Sequence, residues 1–102
     1  MREPGRVLCV GPLRIDTAAH AASIAQRALA LRRMEFQLLV HLAREPSRVC
    51  SREQLLREVW GFRAFAPTRT VDSHASRLRR KLDPQATGRW VLPVRGVGYR
   101  LI

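Results

Sequence analysis

The sequence predicts an α+β fold: a small N-terminal antiparallel sheet (1–31), three helices (32–83) and a C-terminal β-hairpin (84–102), all in one domain. Three observations predict it. Short apolar runs separated by turn residues fill the first third. From Arg32 the apolar positions switch to a helical period. Beyond Asp83-Pro84 they alternate again, on either side of Arg95-Gly96-Val97-Gly98. A chain of 102 residues is long enough to bury a core without disulfides or metal and too short for a second domain.

Taken in order, Val7 to Val10 and Leu13 to Ile15 flank the turn Gly11-Pro12, and Ala22 to Ile24 and Leu29 to Leu31 read as further weak strands. Alanine is so frequent between Thr17 and Ala30 that helix competes with strand there. The first helix presents Phe36, Leu39, Val40 and Ala43 on one face, broadened by Met34, Leu38 and Leu42, and ends near Glu45 because Pro46 follows. Ser51-Arg52-Glu53-Gln54 forms a capping box that opens a second helix, with Leu55, Leu56 and Val59 turned to the first and Gly61 as its stop near Trp60. Thr68 or Thr70 caps the third helix, which Asp83-Pro84 ends. Pro84 to Gly88 is a loop; Trp90 to Val94 and Tyr99 to Ile102 are the arms of the hairpin, and Pro93 restricts the first arm to a sheet edge.

The third helix, Thr70 to Leu82, carries the functional signal. At about 100° per residue, Val71, Ala75, Leu78 and Leu82 fall in one narrow apolar sector. Ser73, Ser76, Arg77 and Arg80 lie opposite, Thr70, His74 and Lys81 on one edge and Arg79 on the other. An apolar back with a polar, cationic front suits the major groove of B-DNA, which admits a helix; taken alone it suits an ordinary solvated basic helix equally well.

Composition points the same way. Nineteen Lys plus Arg against eight Asp plus Glu give +11, which favours polyanionic partners, nucleic acid ahead of an anionic membrane surface. Residues 51–102 carry eleven basic and four acidic side chains, so the excess leans toward the half that holds this helix. Cys9 and Cys50 lack the spacing of a redox pair or zinc knuckle and read as reduced, buried residues. His20, His41 and His74 have no metal-site spacing, and no cofactor or small-molecule substrate is called for. Ser73 and His74 point about 100° apart, which makes no nucleophile pair, so catalysis is not expected. Glu35, Glu53, Glu58 and Asp72 read as structural ion-pairing groups. No apolar run spans a bilayer and the N-terminus is not a signal peptide, so a cytoplasmic protein is expected.

Three helices followed by a basic hairpin describe a winged helix, and the residues resemble the DNA-binding effector domain of OmpR/PhoB-type response regulators. The matching pieces are Met34 to Leu39, Ser51 to Leu55 with Val59-Trp60-Gly61, Arg69 to Asp72, Arg77 to Leu82, and Val94 to Arg100, in that order; Val10 to Leu13 matches more loosely. The resemblance implies a bacterial two-component transcription regulator whose third helix enters the major groove while the hairpin wing reaches the minor groove. By the same resemblance Ser73, Ser76, Arg77 and Arg80 face bases, with Arg77 the main reader. Trp60, Arg69, Thr70, His74, Arg79 and Tyr99 sit at the phosphate backbone, Trp60 and Tyr99 reading equally as core aromatics, and Arg95 is the wing residue. The resemblance also implies that two molecules bind a direct repeat, and that the loop with Phe62, Arg63 and Phe65 is an RNA polymerase contact. At least one of these phenylalanines reads as buried.

The chain departs from the family pattern at Arg32, where a capping Thr is usual, at Ser73 and Ala75, where larger β-branched residues are usual, and at Pro93, where Thr is usual; an unusual target sequence follows. The family carries a phosphorylated receiver domain ahead of this one, and the sequence leaves open an effector domain or a stand-alone regulator. The competing function is a winged-helix protein-interaction module docking on RNA polymerase or another regulator, and exposed apolar residues between Ser73 and Arg80 would favour it. A non-specific nucleoid or RNA-binding domain is the third reading.

Overall fold

The computed structural model describes residues 7–61, 67–85 and 87–102. Four strands, β1 (Val7–Val10), β2 (Leu13–Asp16), β3 (Ala21–Ile24) and β4 (Arg27–Ala28), form an antiparallel sheet in sequence order. The pairing Val10↔Leu13 closes β1 and β2 over Gly11, whose φ of 56° lets two residues make the turn. Leu13 and Ile15 alternate with exposed Arg14, so β2 turns one apolar row into the core.

Helix α1 (Arg33–Ala43) lies over this sheet and packs on α3 (Arg69–Leu82). Between them, β5 (Cys50–Ser51) leads into α2 (Arg52–Leu55), which continues without interruption as a π-helical turn (Leu56–Trp60). The Gly61 amide reaches back to the carbonyls of both Leu56 and Arg57, and with φ 108° Gly61 ends the helix. The chain finishes with β6 (Leu92–Val94) and β7 (Gly98–Arg100), the hairpin wing, and β5 completes a three-stranded sheet in the order β5-β7-β6. Leu13, Ile15, Phe36, Leu39, Leu55, Leu78, Val91 and Leu101 belong to one continuous buried cluster, so both sheets share one core with the helices. At Gly98 a Cβ would stand 1.9 Å from the Cys50 carbonyl oxygen, a contact only glycine permits.

Several sequence expectations change. The fourth strand is Arg27–Ala28, not Leu29 to Leu31, because the β3–β4 turn at Ala25 and Gln26 is only two residues long and pairs Ile24 with Arg27. Strand therefore prevails over helix in the alanine-rich segment. Trp90 to Val94 shortens to Leu92–Val94, because Val91 adopts a φ of 55°. The return arm is Gly98–Arg100. Pro93 does lie on the edge strand. Thr68 stands at the start of α3 without a side-chain cap; the Thr70 amide instead donates to the Pro67 carbonyl. The Ser51 hydroxyl does cap α2 by accepting from the Gln54 amide, but the Gln54 side chain turns forward to Glu58. Cys50 is buried as expected and Cys9 is exposed, since it alternates outward on β1.

Candidate nucleic-acid interface

Helix α3 buries Val71, Ala75, Leu78 and Leu82 and turns the opposite face out. Ser73, Arg69 and Arg80 are exposed and Ser76 and Arg77 partly so. The Arg80 Nη1 donates to the Ser76 hydroxyl at 3.1 Å, one turn apart, which draws the two side chains together on the front.

Two carboxylates hold this helix from behind. Near its N-terminus Asp72 Oδ1 accepts from Arg52 Nε at 2.7 Å and from the Tyr99 hydroxyl at 2.6 Å, joining α2, α3 and β7. Burial pushes the Asp72 carboxyl upward, but the Tyr99 and Arg52 bonds outweigh it and keep the group ionised below its ordinary range. Burial and the Asp72 charge push the Tyr99 hydroxyl up to about 12. Near the C-terminus Glu35 of α1, with no exposed surface, accepts from Lys81 Nζ at 2.6 Å and from the Arg32 amide at 2.9 Å. Its other oxygen, Oε2, lies 3.7 Å from Arg77 Nε. Burial opposes the Glu35 charge, yet Lys81 and the Arg32 amide hold its carboxyl below the ordinary range. The amide bond also satisfies a free N–H at the α1 start, where Arg32 supplies no side-chain cap of its own.

Just past α3, Asp83 accepts from the Thr87 amide and hydroxyl, the Gly88 amide at 2.7 Å and the Arg89 amide at 3.3 Å. These bonds, led by the Thr87 amide, hold its carboxyl at about 2 against burial. The loop between α3 and the wing is thus closed on one side chain.

The residues expected at the phosphate backbone fall into groups. Trp60 meets His74 edge-on, with ring centroids 5.1 Å apart and planes at 75°, and the π-helical turn ends on Trp60. His74 Nδ1 lies 2.8 Å from the Thr70 carbonyl, so Nδ1 carries the proton and donates, leaving Nε2 free of that bond. Trp60, Thr70 and His74 therefore share one edge of α3. Arg79 lies on the other edge, partly exposed. Tyr99 is only 8 % exposed and its hydroxyl is committed to Asp72, so it braces α3 from within. Arg95 is exposed in the tight turn between β6 and β7, beside Val97. Phe62, Arg63 and Phe65 lie outside the described residues. Of the acidic side chains expected to pair, Glu35, Asp72 and Glu58 do, the last with His41 Nε2 at 2.9 Å. The role of Arg52 was not expected: its partner is 20 residues away on another helix, beyond any local spacing signal. Among the described residues no group of three or more His, Cys, Asp or Glu could hold a metal ion, and no helix is long and apolar enough to cross a membrane.

The profile of the family described as "Transcriptional regulatory protein, C terminal" matches residues 26–101. The chain belongs to this family. It is 45% identical over 100 residues to the DNA-binding response regulator MtrA of Mycolicibacterium smegmatis, covering 96% of this chain and 43% of that protein. It is 43% identical over 88 residues to the phosphate regulon transcriptional regulatory protein PhoB of Escherichia coli, covering 86% of this chain and 38% of that one. The chain thus spans less than half the length of these curated relatives. Among solved structures it resembles the response regulator AdeR DNA-binding domain in complex with an intercistronic region (TM-score 0.82, 35% identity, 91% of this chain and 96% of that one). It also resembles the Klebsiella pneumoniae RstA DNA-binding domain in complex with the RstA box (TM-score 0.83, 29% identity, 94% and 96%). The architecture is the winged helix of OmpR/PhoB-type domains, with α3 as the third helix and β6–β7 as the wing. The family match begins at Gln26, so most of the N-terminal sheet stands outside it.

Proposed function

We propose that this domain binds double-stranded DNA sequence-specifically to regulate transcription, with α3 in the major groove and the β6–β7 wing in the minor groove. The observation that carries the reading is the front of α3: serines and arginines supported from behind by two carboxylates and a shared core. No large apolar side chain is exposed between Ser73 and Arg80, which disfavours the interaction-module alternative. Arg77 reads bases, with Ser73, Ser76 and Arg80 beside it. Trp60, Arg69, Thr70, His74 and Arg79 contact phosphates, and Arg95 enters the minor groove, where a narrow groove enhances the negative potential. Two related DNA-binding domains, those of AdeR and RstA, are solved in complex with an intercistronic region and with the RstA box. Binding of two molecules to a direct repeat, an RNA polymerase contact through the loop after Gly61, and a cytoplasmic, nucleoid-bound location complete the proposal.

Arginine substitutions test it. Arg77→Ala lowers the preference for the selected site over random DNA by about 1–3 kcal/mol. Arg79→Ala weakens binding to both and flattens the salt dependence by about one phosphate contact. Equal losses on specific and random duplexes for both variants would defeat the assignment. Footprinting at saturation shows two adjacent protected half-sites, and a single isolated half-site would remove the tandem arrangement.

A further inference from the structure

Arg77 and Glu35 present a mismatch at the back of α3. Glu35 Oε2 and Arg77 Nε are both buried and both lack a hydrogen-bond partner, although they face each other at 3.7 Å. That separation is too long for a hydrogen bond and short enough for an ion pair. Buried polar atoms of this kind are nearly always satisfied, and an unpaired carboxylate oxygen in the core carries a large desolvation cost. The other Glu35 oxygen is already used by Lys81 and the Arg32 amide, and Arg77 Nε is the group set opposite Oε2.

The direction of the contact matters. Arg77 approaches Glu35 through Nε, and 41% of its side-chain surface stays exposed. A guanidinium held at Nε keeps its two terminal nitrogens pointing away, in the fork geometry that a guanine edge accepts. A freely rotating arginine would lose side-chain entropy on making the same contact.

We infer that Glu35 is a positioning residue for sequence readout: from the core it fixes the Arg77 stem at Nε and presents the Nη1/Nη2 fork to the major groove. This rests on the DNA-binding reading above. The bond from the Arg32 amide gives Glu35 a helix-start role; positioning Arg77 adds a function exercised through α3.

Two measurements test it. In the free protein, nitrogen-15 NMR of the arginine Nε–H groups compares Arg77 with Arg80, whose side chain is exposed. Slower solvent exchange at Arg77 is expected, and exchange as fast as at Arg80 would overturn the inference without any substitution. In the second, Glu35→Gln, Arg77→Ala and the double variant are titrated with the selected duplex and a scrambled one. Glu35→Gln keeps an acceptor for Lys81 and the Arg32 amide, and thermal unfolding verifies its fold. It is expected to lower the ratio of affinities for the two duplexes by about tenfold, the lower part of what one bidentate arginine contact supplies. No further loss is expected when Arg77 is already Ala. An unchanged ratio, or an equal loss in the Arg77→Ala background, overturns the inference while leaving Arg77 as the reader. If Arg77→Ala alone leaves the ratio unchanged, the base-reading role of Arg77 falls, and the inference with it.

Discussion

The N-terminal sheet and the helical half of the molecule are held together differently. In the sheet, short strands pair through backbone ladders, and its turns place three non-glycine residues, His20, Ala25 and Gln26, at positive φ. In the helical half, two carboxylates cross between elements and reach the helix that carries the candidate interface. Cross-element polar anchors fix the orientation of a helix in a way that apolar packing alone leaves looser. The sheet, whose ladder buries one row of side chains, tolerates turns of poorer chemistry.

The strongest way to break this contrast is at Gly98, where β7 meets Cys50. Gly98→Ala drives a methyl into the Cys50 carbonyl and is expected to cost about 3 kcal/mol or more, read as a lower urea midpoint; a loss below about 0.5 kcal/mol would refute the close approach. Next comes Asp72→Ala, which strips the acceptor from the buried Tyr99 hydroxyl. A loss of about 1–2 kcal/mol is expected, the smaller end reflecting the solvent-screened Arg52 pair. Weaker DNA binding should accompany it, measured by fluorescence anisotropy, because α3 loses its N-terminal anchor.

In the sheet the opposite sign is expected. Gln26→Gly relieves a left-handed backbone in the two-residue β3–β4 turn and should stabilise the fold by about 1 kcal/mol with DNA affinity unchanged. A destabilised Gln26→Gly protein would show that the turn is not strained. The smallest effect is confined to the loop after α3. The folded pKa of Asp83, about 2, lies below the unfolded value, so its contribution to stability is present above about pH 4 and lost as pH falls through 2. Protection of the Thr87 and Gly88 amides, measured against their intrinsic exchange rates at each pH, should therefore fall across that interval, and in Asp83→Asn that fall should be absent.

Much of this was legible in the sequence, for physical reasons that can be named. Periodicity exposed both faces of α3, since Val71, Ala75, Leu78 and Leu82 recur at helical spacing. Pro93 indicated an edge strand because proline cannot donate to a ladder. The β3–β4 turn was missed because Ala25-Gln26 is not turn chemistry, and its two residues set the strand register. Strand β5 was missed because two residues carry no alternation, and the close approach at Gly98 that admits it is a tertiary fact. The links Arg52 to Asp72 and Glu35 to Lys81 span 20 and 46 residues, so the charge pattern pointed to pairing of Glu35 and Asp72 without naming a partner for either.

Carried on these anchors, α3 is proposed to read a DNA sequence. Selection of duplexes from a randomised pool, followed by titration of the enriched and scrambled sequences over a range of salt, tests it most directly. An enriched motif is expected to be bound at least about a thousandfold tighter than its scrambled counterpart, with affinity falling as salt rises. A pool without enrichment, or equal affinity for both duplexes at every salt concentration, would contradict it.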